Sequence, residues 1–150
     1  MPGNAGGESE TIIGRWLKRR GRRNDVVIMT KVGMWARHEG LRAANIEAAA
    51  EDFLRRLQTS YIDVYFAHMD DQTVPLDETL GAFSRLIEAG KVRTTGASNY
   101  GAGRLREARE KPAGALSRLT SMIADTEFCG RWIRCRLSCP PTRRRWRWRG

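Results

Sequence analysis

SYIDVYFAHMDD, residues 60–71, starts as a β-prone run and ends on an imidazole and two carboxylates. Tyr61–Ala67 is rich in aromatic and β-branched side chains and reads as a buried strand. No turn signal closes it. His68, Met69, Asp70 and Asp71 follow directly. A strand that only fills a core needs nothing ionisable at its end, whereas a strand that opens onto a site does.

Two further segments have the same shape. Val26–Thr30 reads as a short buried strand ending at Lys31, and Val92–Ala97 as another ending in Ser98, Asn99 and Tyr100. Helices fall between them. Ile12, Ile13, Trp16 and Leu17 form one stripe of a first helix, which Gly21 stops. Ile46, Ala50, Phe53, Leu54 and Leu57 recur at helical spacing over residues 42–58. Leu76, Leu80, Phe83 and Ile87 do so in a third helix, with Pro75 in its first turn and Gly90 at its end. Ser98 or Asn99 is suited to cap a fourth helix over 101–110. Trp16, Phe53 and Phe83 read as core. Gly33–Gly40 reads as a solvated loop in which His38 has no role.

Strands alternating with helices at intervals of about thirty residues mark βαβ units and a parallel sheet. Doubly wound sheets and (β/α) barrels share this signature, and both collect functional groups beyond the C-terminal ends of their strands. Those ends here carry Lys31, His68 with Asp70 and Asp71, and Ser98 with Asn99.

The chain has 150 residues and a net charge of +10, unevenly spread. Of its 27 basic residues, eight Arg lie in the acid-free stretch Cys129–Gly150, so the other 19 face all 17 acids and residues 1–128 carry a net of only +2. That charge requires no polyanionic partner, and no specific nucleic acid is expected. All three Cys, and Trp132, Trp146 and Trp148, share the last 22 residues. Residues 1–128 lack Cys, which excludes a disulfide framework there and fits a reducing compartment. No apolar run approaches the ~20 residues of a membrane span. The polar, Gly-rich start, MPGNAGGESE, is unlike a secretory signal. A cytoplasmic protein is expected.

Residues 1–128 are read as one unit and 129–150 as a disordered Arg/Trp/Cys-rich tail. Gly114–Phe128 is read as one more helix. Cys129, Cys135 and Cys139 lack the paired spacing of zinc sites, and no metal is expected. RRRWRWRG, residues 143–150, mixes cations with indoles and suits anionic lipid or single-stranded nucleic acid. A non-catalytic α/β fragment binding such partners through its tail is the alternative function. The tail's composition also fits a GC-rich coding sequence read out of frame.

Taken together, these segments resemble the aldo-keto reductase family. GGESETIIGRWLKRR (6–20) resembles the family's glycine-then-Ser-Glu segment after the second barrel strand. DVVIMTKVG (25–33) resembles the third strand with its catalytic lysine, and SYIDVYFAHMDD the fourth with its histidine. LIEAGKVRTTGASNY (86–100) resembles the fifth with its Ser-Asn pair. The resemblance runs in order from about Gly3 to Ala108. It implies an α/β fold, a partial (β/α)8 TIM barrel of about three βα units with flanking helices, the front strands and second half being absent.

The resemblance also implies NADPH-dependent reduction of aldehydes or ketones to alcohols, with a small-molecule carbonyl substrate. By it, Lys31 is the cation that lowers a tyrosine's pKa and His68 orients the carbonyl. Ser98 and Asn99 hold the nicotinamide amide. Asp70 and Asp71 shape the loop. The family's aspartate and proton-donating tyrosine have no counterpart among Tyr61, Tyr65 and Tyr100. The expectation is a truncated oxidoreductase, inactive alone, that self-associates through unpaired strand edges.

Overall fold

In the computed structural model, residues 6–111 and a strand at 120–122 are described. The elements run α1 (Glu8–Arg20), β1 (Met29–Val32), β2 (Met34–Trp35), β3 (His38–Glu39), α2 (Ala43–Leu57), β4 (Ile62–Ala67), α3 (Leu76–Glu88), β5 (Val92–Ser98), α4 (Ala102–Glu110) and β6 (Thr120–Met122).

The main sheet has the order β1-β4-β5-β6 and is parallel throughout. Each strand lies beside the next one in the chain, so right-handed crossovers place the helices on one face. Tyr65 marks that face. Its ring lies edge-on between Phe53 of α2, 6.0 Å away, and Phe83 of α3, 5.5 Å away. Its hydroxyl donates to the Ile46 carbonyl, so the buried phenol is satisfied. The apolar stripes of α2 and α3 close this core, and α4 adds Ala108 against Leu76 and Leu80. Helices on a single face separate a barrel segment from a doubly wound sheet, which has them on both. The fold is α/β, part of a TIM barrel.

Several expectations change. β1 begins at Met29, not Val26, and Lys31 lies inside it. Side chains occupy the backbone before it: Arg23 donates to the Val26 carbonyl, and the Ile28 N–H donates to Asp63 Oδ2. Trp16 is not core but 41% exposed, and Ile12 and Ile13 are exposed with it. Helix α1 docks instead through Gly14 and Leu17. A Cβ on Gly14 would overlap the Arg56 carbonyl oxygen of α2 and stand 2.8 Å from the Leu57 carbonyl carbon. That close approach, rather than the aromatic, selects the buried side.

Residues 33–40 form a small antiparallel hairpin, β2 with β3. Part of the helix expected at 114–128 is a strand: Thr120–Met122 pairs with Gly96–Ser98 of β5. An unpaired parallel edge offers backbone partners that a short polar segment cannot find alone. The rest of that segment and the tail at 129–150 lie outside the described residues. Among the described residues, no helix is long and apolar enough to cross a membrane.

Candidate active site

The register sets the site. Lys31 of β1 lies beside Phe66 of β4, which lies beside Gly96 of β5. Side chains alternate along a strand, so these three share one face, with His68 and Ser98 two residues further along it. Thr30, Tyr65 and Thr95, aligned one residue earlier, belong to the helix-covered face. The lysine, imidazole and serine hydroxyl therefore rise from three neighbouring strands on the face opposite the helices.

His68 stands just past the end of β4, yet both neighbouring strands hold its peptide. Its N–H donates to the Val32 carbonyl of β1 at 2.9 Å. Its carbonyl accepts from Asn99 Nδ2, beyond β5, at 2.8 Å. Its pKa lies below that of an ordinary histidine, first because burial penalises the charged ring and then because the Lys31 ammonium repels it. The ring is thereby kept neutral, able to donate from one nitrogen.

Ser98 is buried, and Asn99 Nδ2 also donates to its Oγ at 3.2 Å. Asn99 sits at φ 57°, in the left-handed region that Asn tolerates better than most residues. Neither residue caps α4, whose N-cap is Gly101 without a side-chain bond. The αL turn at Asn99 sends its amide back to β4 instead.

The carboxylates of the opening motif shape the rim. Asp70 accepts from Arg104 Nε of α4 at 3.2 Å. Asp71 Oδ2 accepts from the Leu41 N–H, and Oδ1 from the Thr73 N–H and hydroxyl. The Thr73 hydroxyl and Leu41 N–H are the main causes that hold the Asp71 carboxyl below the usual range. Gly40 answers this packing: it has φ 80°, and its Cβ would lie 2.9 Å from Asp71 Oδ2.

None of the three tyrosines joins the lysine and histidine. Tyr61, just ahead of β4 at the opposite end of the sheet, donates to Asn24. Tyr65 lies on the helix side. Tyr100 is partly buried, and that burial with the nearby Asp70 carboxylate raises its pKa, making it a weaker acid. Among the described residues, no group of three His, Cys, Asp or Glu side chains could hold a metal ion.

His38 is the residue that sequence reasoning missed. It is not solvated: its side chain is 11% exposed. Nε2 is 3.0 Å from Asp52 Oδ2 and Nδ1 is 3.2 Å from Asn45 Oδ1, both on α2. Its ring leans on Trp35 at 5.4 Å. It pins the hairpin that follows β1 to the helix behind. The aromatic three residues before it, with Asn45 and Asp52 on one side of the next helix, was the available signal.

Known proteins resemble this chain in sequence and fold. The sequence matches the aldo/keto reductase family over residues 5–121. Aldo-keto reductase YhdN of Bacillus subtilis (strain 168) is 41% identical over 98 residues, covering 63% of this chain and 30% of that protein. Aldo-keto reductase yakc [NADP(+)] of Schizosaccharomyces pombe is 36% identical over 108 residues, covering 68% of this chain and 32% of that one. The crystal structure of the thermostable aldo-keto reductase Tm1743 with the inhibitor epalrestat superposes with a TM-score of 0.63 at 36% identity. That match covers 70% of this chain and 36% of the other. The chain thus spans about a third of the length of the proteins it matches.

Proposed function

Because the chain belongs to the aldo/keto reductase family, we propose that it carries the lysine, histidine and Ser-Asn part of a carbonyl-reducing site and does not turn over by itself. The observation behind this is that Lys31, His68 and Ser98 share one face toward the C-terminal ends of three parallel strands, with Asn99 bonded to the His68 carbonyl. NADP(+) in the name of the fission yeast relative supports NADP(H) as the cofactor.

The residues fit one end of such a cofactor. Asn99 Nδ2 is committed to His68 and Ser98, which leaves Oδ1 to accept from a carboxamide N–H. NADPH, when bound, supplies the hydride. As hydride reaches a carbonyl carbon, the oxygen gains negative charge. His68, neutral at physiological pH, donates a ring N–H to that oxygen and orients it. The Lys31 ammonium stabilises negative charge beside it and would favour ionisation of a phenol brought close. No tyrosine of this chain occupies that place, so Lys31 has no acid to activate.

Two arms test the reading. The purified chain with NADPH and a reactive aromatic aldehyde should oxidise no more cofactor than its Lys31→Met variant. A chimera carrying residues 6–108 in place of the matching segment of the Bacillus subtilis relative should reduce the aldehyde, and Lys31→Met within it should cost about 100-fold or more in kcat. A folded but inactive chimera, or a chimera indifferent to Lys31, would overturn the assignment.

A further inference from the structure

Asn99 does more than line a cofactor subsite. We infer that it is a positioning residue for His68, its Nδ2 fastening the His68 carbonyl across the β4–β5 boundary so that the imidazole stays on the Lys31 face. This inference rests on the reductase reading for its functional meaning, but its geometry stands apart from it.

His68 lies one residue beyond Ala67, the last residue of β4 in register with both neighbours. Past that point the ladder no longer fixes the chain, and a ring there would be free to swing toward water. Two bonds prevent this. The Val32 carbonyl takes the His68 N–H from one side, and Asn99 Nδ2 reaches the His68 carbonyl from the other. The first is ordinary ladder geometry. The second comes from a side chain: Asn99 turns left-handed just past β5, and its amide reaches back to the His68 carbonyl. Few other residues could serve: the site needs a tolerated positive φ and a short side chain that donates. Asp has the shape without the donor, and Gly has the φ without the amide.

Holding the peptide holds the ring. While fastened, the imidazole is partly desolvated and within reach of the Lys31 charge. Released, it moves toward solvent and away from the cation, and both influences weaken together.

The chain has only two histidines, so 13Cε1-labelled protein gives two ring signals, with His38 as the internal reference. In the full chain, Asn99→Gly keeps the backbone's φ and removes the amide. The His68 signal should then titrate at higher pH than in the wild type. Gln58→Gly is the matched control: among the described residues, Gln58 is the other non-glycine residue with positive φ, at the end of α2. It should leave the His68 midpoint where it is in the wild type. A His68 midpoint in Asn99→Gly equal to that in Gln58→Gly would overturn the inference. Should Asn99→Gly not fold, a scalar coupling across the hydrogen bond between Asn99 Nδ2 and the His68 carbonyl carbon is measurable in the wild type. Its presence supports the fastening and its absence overturns it. These readouts follow the place of His68, not turnover, so they can fail while the chimera works, or hold while it does not.

Discussion

Lys31 acts on His68 through space, and the effect has a sign. The ammonium and burial both favour the neutral imidazole in the folded chain. The unfolded chain, with an ordinary histidine pKa of about 6.5, binds the proton more readily. The stability this group contributes is therefore complete above about pH 6.5 and declines as pH falls below it. Replacing Lys31 by Met removes the repulsion but leaves the burial. The His68 midpoint should rise, and the loss of stability on mild acidification should become smaller. Histidine-detected titration, with urea unfolding on either side of pH 6.5, checks both. An unchanged midpoint would mean that the two groups do not face one another. The aspartates have the same pH sign, although the fold favours their charged form rather than the neutral one. Asp52, with its His38 hydrogen bond as the main cause, and Asp71 both have lowered folded pKa values. Their contribution is present above the unfolded carboxylate value of about 3.9 and is lost as pH falls through the lower folded values. Asp52→Asn and Asp71→Asn should each destabilise the chain near neutrality and flatten the acid limb below about pH 4, as read by urea midpoints across that range. That His68 and Ser98 would stand where their strands end was legible in the sequence, because a polar group after a β-prone run is conspicuous, whereas Lys31 lies inside its strand. What each would touch was not. Asn99 and a helix-capping Asn look alike until the sign of φ is known, and the bonds of His38 are to residues seven and fourteen positions away.

At the scale of elements, helix spacing was read well where the stripe faces a large core and poorly where backbone meets backbone. Helix α2 buries the residues its periodicity marks, and α3 does so except for Ile87, which is partly buried while Leu86 beside it is buried. Helix α1 shows an apolar stripe too, yet it packs through Gly14, because the absence of a side chain lets it lie closer to α2 than any stripe would allow. Hydrophobic pattern alone gives no weight to a missing side chain. Gly14→Ala should thus be destabilising, although alanine is the better helix former by roughly 1 kcal/mol. Its methyl meets main chain rather than a movable side chain, and overpacking of this kind costs about 1–3 kcal/mol or more. A lower urea midpoint with an unchanged slope is expected; a higher midpoint would show that propensity wins and that the helices are not tightly apposed. Strand β6 was hidden for another reason. Three residues carry no readable period, and their strand character comes from the β5 edge they pair with.

Over the whole molecule, among the described residues, the helices close one face of the sheet, and the other is buried at Phe66 and Ser98 but bares apolar side chains toward β1. Tyr65 and the helices close the first. The second bears the candidate site at its upper rim and, lower down, Met29 at 60% exposed, with Val27 just ahead of β1 at 69%. In a closed barrel this face points inward and fills with side chains in layers. Here β1 also stands at the edge of the described sheet, its outer N–H and C=O groups unpaired by any described strand. Exposed apolar side chains beside an open edge favour pairing with another copy, since pairing satisfies the backbone and removes apolar surface from water together. Association that grows with concentration is therefore expected in sedimentation velocity. Met29→Lys should weaken it, because a charge placed on that face must be desolvated before two copies can meet. Lys91→Ala, at the far end of the sheet, should leave it unchanged. A monomer that persists across a wide concentration range, with a single cooperative unfolding transition, would mean that the β1 edge and the apolar side chains beside it do not drive association.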